Sequence, residues 1–503
     1  MGKKNRSNKD AKAKRSKPEE DAIVSSLLEK TSSLLATNAK EQWNEHVAIR
    51  ELLDKIQKIQ VQTEKDEKQK RSDFLPKFSE WLKENGADSE NVEVYSSSDY
   101  DCGVRAVTTF QAGEKIFNIP RKLILTSEHS SSTFLGSIIE TDKLLRVMPN
   151  VVLALKLLNE SHEEDSFWKP YIDILPRKFS TPLFFTQEEL SALQGSQVLN
   201  NVLNLYRSIA RQYAYLHQIF KKIPTNNKLN FMKSFTYSQY RWAVSIVMTR
   251  QNQIPCSSGN GLHLALIPFL DMCNHCEGHF TTDYDLSTDS CVCFALYSYK
   301  PGDQVFIFYG PRSNSDFFVH SGFYYEENKH DLLHIKLGIS SSDSLYTLKT
   351  QLLSQIPVNV KNLAVTNAEF PLTKDLLAFL RIFCITEDKG KQLAEETVEN
   401  LQSLLCDHSV QVSKQNEKKV WSFLETRCSL LLRQYPTTKE QDDEALESCD
   451  LSENTQLAMK LRRNEKLLLI KAMSFCKDTK EHLLEDHLVI YPGPNSFLAC
   501  VIL

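Results

Sequence analysis

The sequence predicts an α+β chain in which a β-rich domain is split by a helical insert and followed by an all-α domain. Three observations predict it. Two apolar stripes at helical spacing stop at Gly86, and beyond that glycine the pattern changes to short extended runs with turn residues between them. From about 130 to 250 the pattern is helical, and extended runs resume after it. From about 340 to 478 the chain reads as helices again, with no repeat of fixed period.

In chain order, residues 1–20 hold eight Lys/Arg and almost no apolar side chain, so a disordered basic tail is expected. Such a cluster fits either a nuclear import signal or a solvated, solubilising tail. Over 21–89, Ile49, Leu52, Leu53 and Ile56 form one helical stripe, and Phe74, Phe78, Trp81 and Leu82 a second. The β-rich domain spans 90–310. It opens with VEVY, GVRAV and, after the turn at Ala112-Gly113, KIFNIP. Past the insert come HLALIPFL and then VCFALYSY and QVFIFYG, for which Lys300-Pro301-Gly302-Asp303 predicts a hairpin turn. Residues 311–340 read as a linker. The helical domain follows over 341–478, with Val420, Phe423, Leu424, Cys428 and Leu431 as a sample of its stripes and Pro436 closing that helix. The last stretch, 479–503, is an atypical apolar tail to which no function is assigned.

Composition excludes several classes. At 503 residues the chain has room for two to four domains. With 60 Lys+Arg against 64 Asp+Glu it carries a net charge of -4, so no global basic field draws it to nucleic acid or to an anionic membrane. No uncharged run reaches the roughly 18 residues of a membrane span, and Arg6 stands where a myristoylation signal needs Ser or Thr. The 12 cysteines show no paired spacing, which argues against a secreted disulfide framework. A cytosolic or nuclear monomer is the expectation.

Cys273, Cys276, Cys291 and Cys293, with His275 and His279 among them, resemble a zinc site. The second pair is C-x-C rather than C-x-x-C, so unligated cysteines on a strand are the better reading and no metal is expected. Phosphate-cradling glycine loops are missing, which removes kinase and dehydrogenase readings, and no G-x-S-x-G nucleophile elbow supports a Ser-His-Asp assembly, although one sequence leaves that open. Three polar segments inside apolar runs remain: Arg250-Gln251-Asn252-Gln253, Asp271-Met272-Cys273-Asn274-His275 and Phe308-Tyr309-Gly310. Polar groups entering a core must find partners or serve a ligand.

At these residues the sequence resembles the SET-domain protein methyltransferases, in particular the class with a split SET domain and a helical substrate-binding domain, as in Rubisco methyltransferase. RWAVSIVMTRQNQIP, ALIPFLDMCNH, FIFYGPRSN and HSGFYY are similar above all to the branch of the family that methylates a histidine of actin. The resemblance implies S-adenosylmethionine as cofactor, held by Arg71, Tyr100, Asp101, Cys102, Arg250, Asp271, Met272, Cys273, Asn274, His275, Ser321, Gly322 and Phe323. It implies Tyr309 and Asn252 as catalytic residues. Arg211, Asn252, Leu270 and Arg312 would line the cleft for the actin chain.

Two positions depart from the family pattern. Asp101-Cys102-Gly103 stands where the family has Gly-Phe before the next glycine, so a turn needing positive φ would be strained there. Leu270 stands where the actin-histidine branch has a tryptophan against the target ring, which leaves lysine methylation open as an alternative. A non-catalytic SET-like scaffold is the third reading.

Overall fold

The computed structural model describes residues 18–36, 38–60, 70–97, 101–129, 131–224, 229–233, 235–448 and 450–484. Tyr100, the first 17 residues of the basic tail and the apolar tail past 484 lie outside the described residues. The described chain forms two compact units. One runs through Gln187 and then takes Val198–Gly310 and Phe318–Phe323; the other takes Glu188–Gln197, Pro311–Phe317 and the chain from Tyr324 onward.

The first unit begins with a helix over 18–32, whose first three residues fall within the expected tail of 1–20. Pro18, Glu19 and Glu20 suit a helical first turn, because proline lacks the amide that the turn leaves unpaired and acids complement the helix dipole. The helices Ala39–Gln60 and Leu75–Glu84 carry the two apolar stripes, burying Ile49, Leu53 and Ile56 on one and Phe78, Trp81 and Leu82 on the other. Strands β1 (Val92–Ser97), β2 (Asp101–Ala106), β3 (Lys115–Pro120) and β4 (Leu125–Thr126) follow. Helices from Phe134 to Arg250 then intervene before β5 (Asn252–Pro255) and β6 (Leu262–Leu266). Both β4 and β5 pair with β6, so the helical block leaves and re-enters the fold on either side of one strand.

The remaining strands are β7 (Asn274–His275), β8 (Thr282–Asp285), β9 (Ser290–Phe294) and β10 (Gln304–Ile307). Here the structure differs from the expected hairpin. A turn does form at 300–303, with the Asp303 amide on the Lys300 carbonyl at 3.0 Å. Yet β9 pairs with β3 and β8, while β10 pairs with β2 and β7. The turn is instead anchored to β2, since the Gly302 amide donates to the Ala106 carbonyl at 2.8 Å. Turn residues encode a local reversal and say nothing about the strand's partner.

The insert supplies much of the core through its aromatic residues. Tyr213 lies against Phe235, Tyr237 and Tyr240 at centroid distances of 5.4, 5.4 and 6.4 Å. Gln60 satisfies two buried polar groups at once, donating to the Tyr213 hydroxyl at 2.8 Å and accepting the Tyr237 amide at 3.0 Å. The helix Tyr237–Arg250 starts with a capping box of Thr236 and Gln239, and its end delivers Arg250 and Asn252 to the site.

The second unit is mainly helical, with long helices Lys414–Leu432 and Glu453–Leu484 packed on each other. It is not all-α as expected: β11 (Leu332–His334) and β12 (Ala364–Thr366) form a two-stranded sheet, and three-residue strands are too short to leave an alternating pattern in the sequence. Arg381, 1% exposed, pairs with Glu417 at 2.9 Å and donates to the carbonyls of Leu404 and Asp407, so its charge is paired and its donors used. No helix among the described residues is long and apolar enough to cross a membrane.

Candidate active site

Asn274 and His275 reach the site because β7 pairs in parallel with β10, setting Phe306 opposite Asn274 and Ile307 opposite His275. That register places Tyr309, two residues past β10, beside the 273–275 segment. Its hydroxyl donates to the Cys273 carbonyl at 2.7 Å, and its amide donates to His275 Nδ1 at 3.2 Å. An Nδ1 that accepts a backbone N–H carries no proton, which favours the tautomer with its hydrogen on Nε2. Phe323 closes the cluster, 6.1 Å from His275 and 6.3 Å from Tyr309 by ring centroids.

Asn274 is held as firmly. Its Nδ2 donates to the Cys102 carbonyl at 3.1 Å and to Gln304 Oε1 at 2.8 Å. Gly103 makes this approach possible, since a Cβ there would lie 2.7 Å from Gln304 Oε1 and 3.2 Å from Asn274 Nδ2. Gly322 answers a similar demand: at φ 79° it packs so closely on Ser180 and Thr181 that a Cβ would come within 2.8 Å of their backbone. The turn before β7 is strained at Phe269, a bulky residue at φ 74°, which an edge-to-face contact with Phe117 at 5.0 Å holds in place.

Arg71, Arg250, Asp101 and Asp271 gather charge beside these segments. Arg71 Nε donates to the Ile174 carbonyl at 2.6 Å, Nη2 lies 3.7 Å from Met272 Sδ, and Nη1 pairs with the Asp101 carboxylate. Asp271 Oδ2 accepts the Tyr171 hydroxyl at 2.5 Å. Burial pushes the Asp271 pKa up to about 7, with the Tyr171 hydroxyl and Arg250 pulling the other way. Arg250 donates to Thr249 Oγ1 at 2.7 Å, and burial, with Arg71 nearby, lowers its pKa. At this site the donor Arg250 Nε and the acceptor Asp271 Oδ1 are buried without a hydrogen-bond partner among the described residues. A buried orphan donor and acceptor fit a zwitterionic amino-acid group, which is what S-adenosylmethionine presents at one end.

Of the residues expected from sequence, the structure thus brings together Arg71, Asp101, Cys102, Arg250, Asp271 through His275, Tyr309, Gly322 and Phe323. Ser321 ends the helix Asn314–Ser321 immediately before them. Asn252 joins through a hydrogen bond from its Nδ2 to the Arg250 carbonyl at 3.1 Å. Tyr100 is outside the described residues. Leu270 is 3% exposed and part of the hydrophobic core. Arg211 lies on the helix Gln197–Lys222, in the wall of a cavity of about 490 Å³ with Leu28, Met148 and Tyr215. Arg312 belongs to the second unit. Tyr171 and Gln304, which orient Asp271 and Asn274, were missed by sequence reasoning. Neither stands in a motif, and only their partners reveal them.

The four cysteines are free thiols; Cys276 is half-buried, while Cys273, Cys291 and Cys293 are at most 3% exposed, and burial raises each of these three thiols' pKa, Cys291 to about 12. Among the described residues no group of three or more His, Cys, Asp or Glu could hold a metal ion.

Comparison with known proteins gives this arrangement its context. A SET-domain model matches residues 101–310, and a Rubisco LSMT substrate-binding model matches 340–469. Actin-histidine N-methyltransferase of Xenopus tropicalis is 42% identical over 462 residues, covering 91% of this chain and 79% of that protein. The Homo sapiens protein is 42% identical over 463 residues, covering 92% and 78%. A crystal structure of the SET domain of LSMT bound to lysine and AdoHcy superposes with a TM-score of 0.65 at 24% identity, covering 82% of this chain and 93% of that one. The fold is therefore that of LSMT, and the chain belongs to the actin-histidine N-methyltransferase family of SET-domain proteins.

Proposed function

We propose that this protein transfers a methyl group from S-adenosylmethionine to a histidine ring nitrogen of actin. The observation that carries the reading is the 42% identity with actin-histidine N-methyltransferases over nine-tenths of the chain, joined to a site whose orphan donor and acceptor suit the cofactor's amino-acid end. The bound cofactor supplies an electrophilic methyl on a sulfonium. The protein's own residues do the rest.

Arg71 and Arg250 would hold the cofactor carboxylate through guanidinium donors, and Asp271 Oδ1 would accept from its ammonium. Asn274, fixed by Cys102 and Gln304, presents a pre-set amide. Tyr309, tethered to the Cys273 carbonyl, forms with Phe323 and His275 an aromatic wall that excludes water and favours positive charge. Asn252 orients the target ring. Its Nδ2 is held by the Arg250 carbonyl, which leaves Oδ1 to accept one imidazole N–H, so the opposite nitrogen turns its lone pair outward. Imidazole needs little further help. With a pKa near 6.5 it is about three-quarters neutral at pH 7, whereas a lysine at 10.4 is neutral in about one molecule of 2,500. Catalysis then comes chiefly from holding the nucleophile in line.

Mass spectrometry of actin incubated with the protein and deuterated S-adenosylmethionine tests this. A labelled methyl on histidine is expected. Label on lysine alone refutes the histidine assignment, and unlabelled actin refutes the substrate.

A further inference from the structure

Asp101 combines two features that need a joint explanation. It holds φ at 64°, a region that costs any side chain free energy and that aspartate tolerates better than most. In that conformation its carboxylate, 62% exposed, pairs with the guanidinium of Arg71, 14% exposed. Arg71 is fixed from behind by the Ile174 carbonyl and Met272, so with Asp101 in place each of its three nitrogens already has an acceptor. The site meanwhile has a spare acceptor for an ammonium in Asp271 Oδ1. Asp101 takes up one Arg71 N–H that a carboxylate could use, while Arg250 Nε stays open.

We propose that Asp101 is a built-in competitor of the cofactor's carboxylate. It occupies Arg71 in the ligand-free chain and is displaced when the cofactor's amino-acid end arrives, so binding exchanges one ion pair for another. This rests on the transferase reading above, and it adds a determinant of cofactor affinity. Two consequences follow from the exchange. Affinity is set below what the two arginines alone would give. Its salt dependence is also weak, because screening acts alike on the pair lost and the pair gained.

The test is calorimetric titration of the full chain, Asp101→Asn and Asp101→Gly with two ligands, S-adenosylhomocysteine and 5′-methylthioadenosine, which lacks the amino-acid end. Asparagine keeps tolerance of positive φ and removes only the charge, while glycine removes the strain as well. Both variants are expected to bind S-adenosylhomocysteine about two- to fivefold tighter at low salt, the range of a largely exposed ion pair. That gain should shrink at high salt, whereas methylthioadenosine should bind all three proteins equally. Unchanged or weaker S-adenosylhomocysteine binding in the variants overturns the inference, the weaker case assigning Asp101 to the ammonium instead. Equal gains for both ligands overturn it too, since they would reflect relieved strain rather than freed charge. If none of the three proteins binds either ligand, the transferase reading falls, and the inference with it.

Discussion

Replacing Asp271 with asparagine should flatten the protein's dependence of stability on pH, by an amount that the site sets. Burial raises this carboxyl from 3.8 to about 7, so between those values the folded chain holds a proton that the unfolded chain has released. A raised pKa means stability that is complete below pH 3.8 and is lost as pH rises through 7. From pH 5.5 to 8.5 the wild-type chain should lose about 2 kcal/mol on this account, at 1.36 kcal/mol for each pH unit up to the folded pKa. Asp271→Asn does not titrate and can still accept the Tyr171 hydroxyl. The stability difference between the two proteins should therefore move in the variant's favour by that amount across the window. Urea unfolding at pH 5.5, 7.0 and 8.5 measures it, with the two compact units fitted as separate transitions. A difference that stays constant over the three values, or that moves toward the wild type, refutes the argument that burial raises the Asp271 carboxyl.

Tyr309→Phe should slow methyl transfer about 10- to 100-fold, because the ring loses its tether to the Cys273 carbonyl, while stability falls by only about 0.5–1.5 kcal/mol; equal single-turnover rates would remove Tyr309 from the chemistry. Asn252→Ala should lower turnover of a histidine peptide about tenfold and leave the dissociation constant of S-adenosylhomocysteine within about twofold, since only the orientation of the target ring is lost; matched losses in both would make Asn252 a structural residue. Leu270→Trp should cost about 1–3 kcal/mol in urea unfolding, because a tryptophan overpacks a position that is 3% exposed; an unchanged midpoint would show that Leu270 borders space open to a ligand.

Much of the fold was legible because it is written in short-range pattern. The stripes at Ile49–Ile56 and Phe74–Leu82 became helices, and VEVY, GVRAV and KIFNIP became β1 to β3. The site was legible in a different way. Arg250, Asp271 to His275 and Tyr309 stood out as polar groups in apolar runs, and the family resemblance drew Arg71 to them across a long stretch of chain.

By itself the sequence determined most helices and strands of the first unit, the family, and which residue types the site would contain, since periodicity and motif are properties of neighbouring residues. Tertiary structure alone decided the partners. It paired β10 with β2 and β7 instead of β9, and so set Tyr309 against Cys273 and His275. It brought Tyr171 to Asp271 and Gln304 to Asn274, left Arg250 Nε and Asp271 Oδ1 without partners, and set Asp101 on Arg71. Hydrogen bonds and ion pairs between residues tens to hundreds of positions apart depend on strand register and on which groups burial deprives of water, and both are settled only when the whole chain packs.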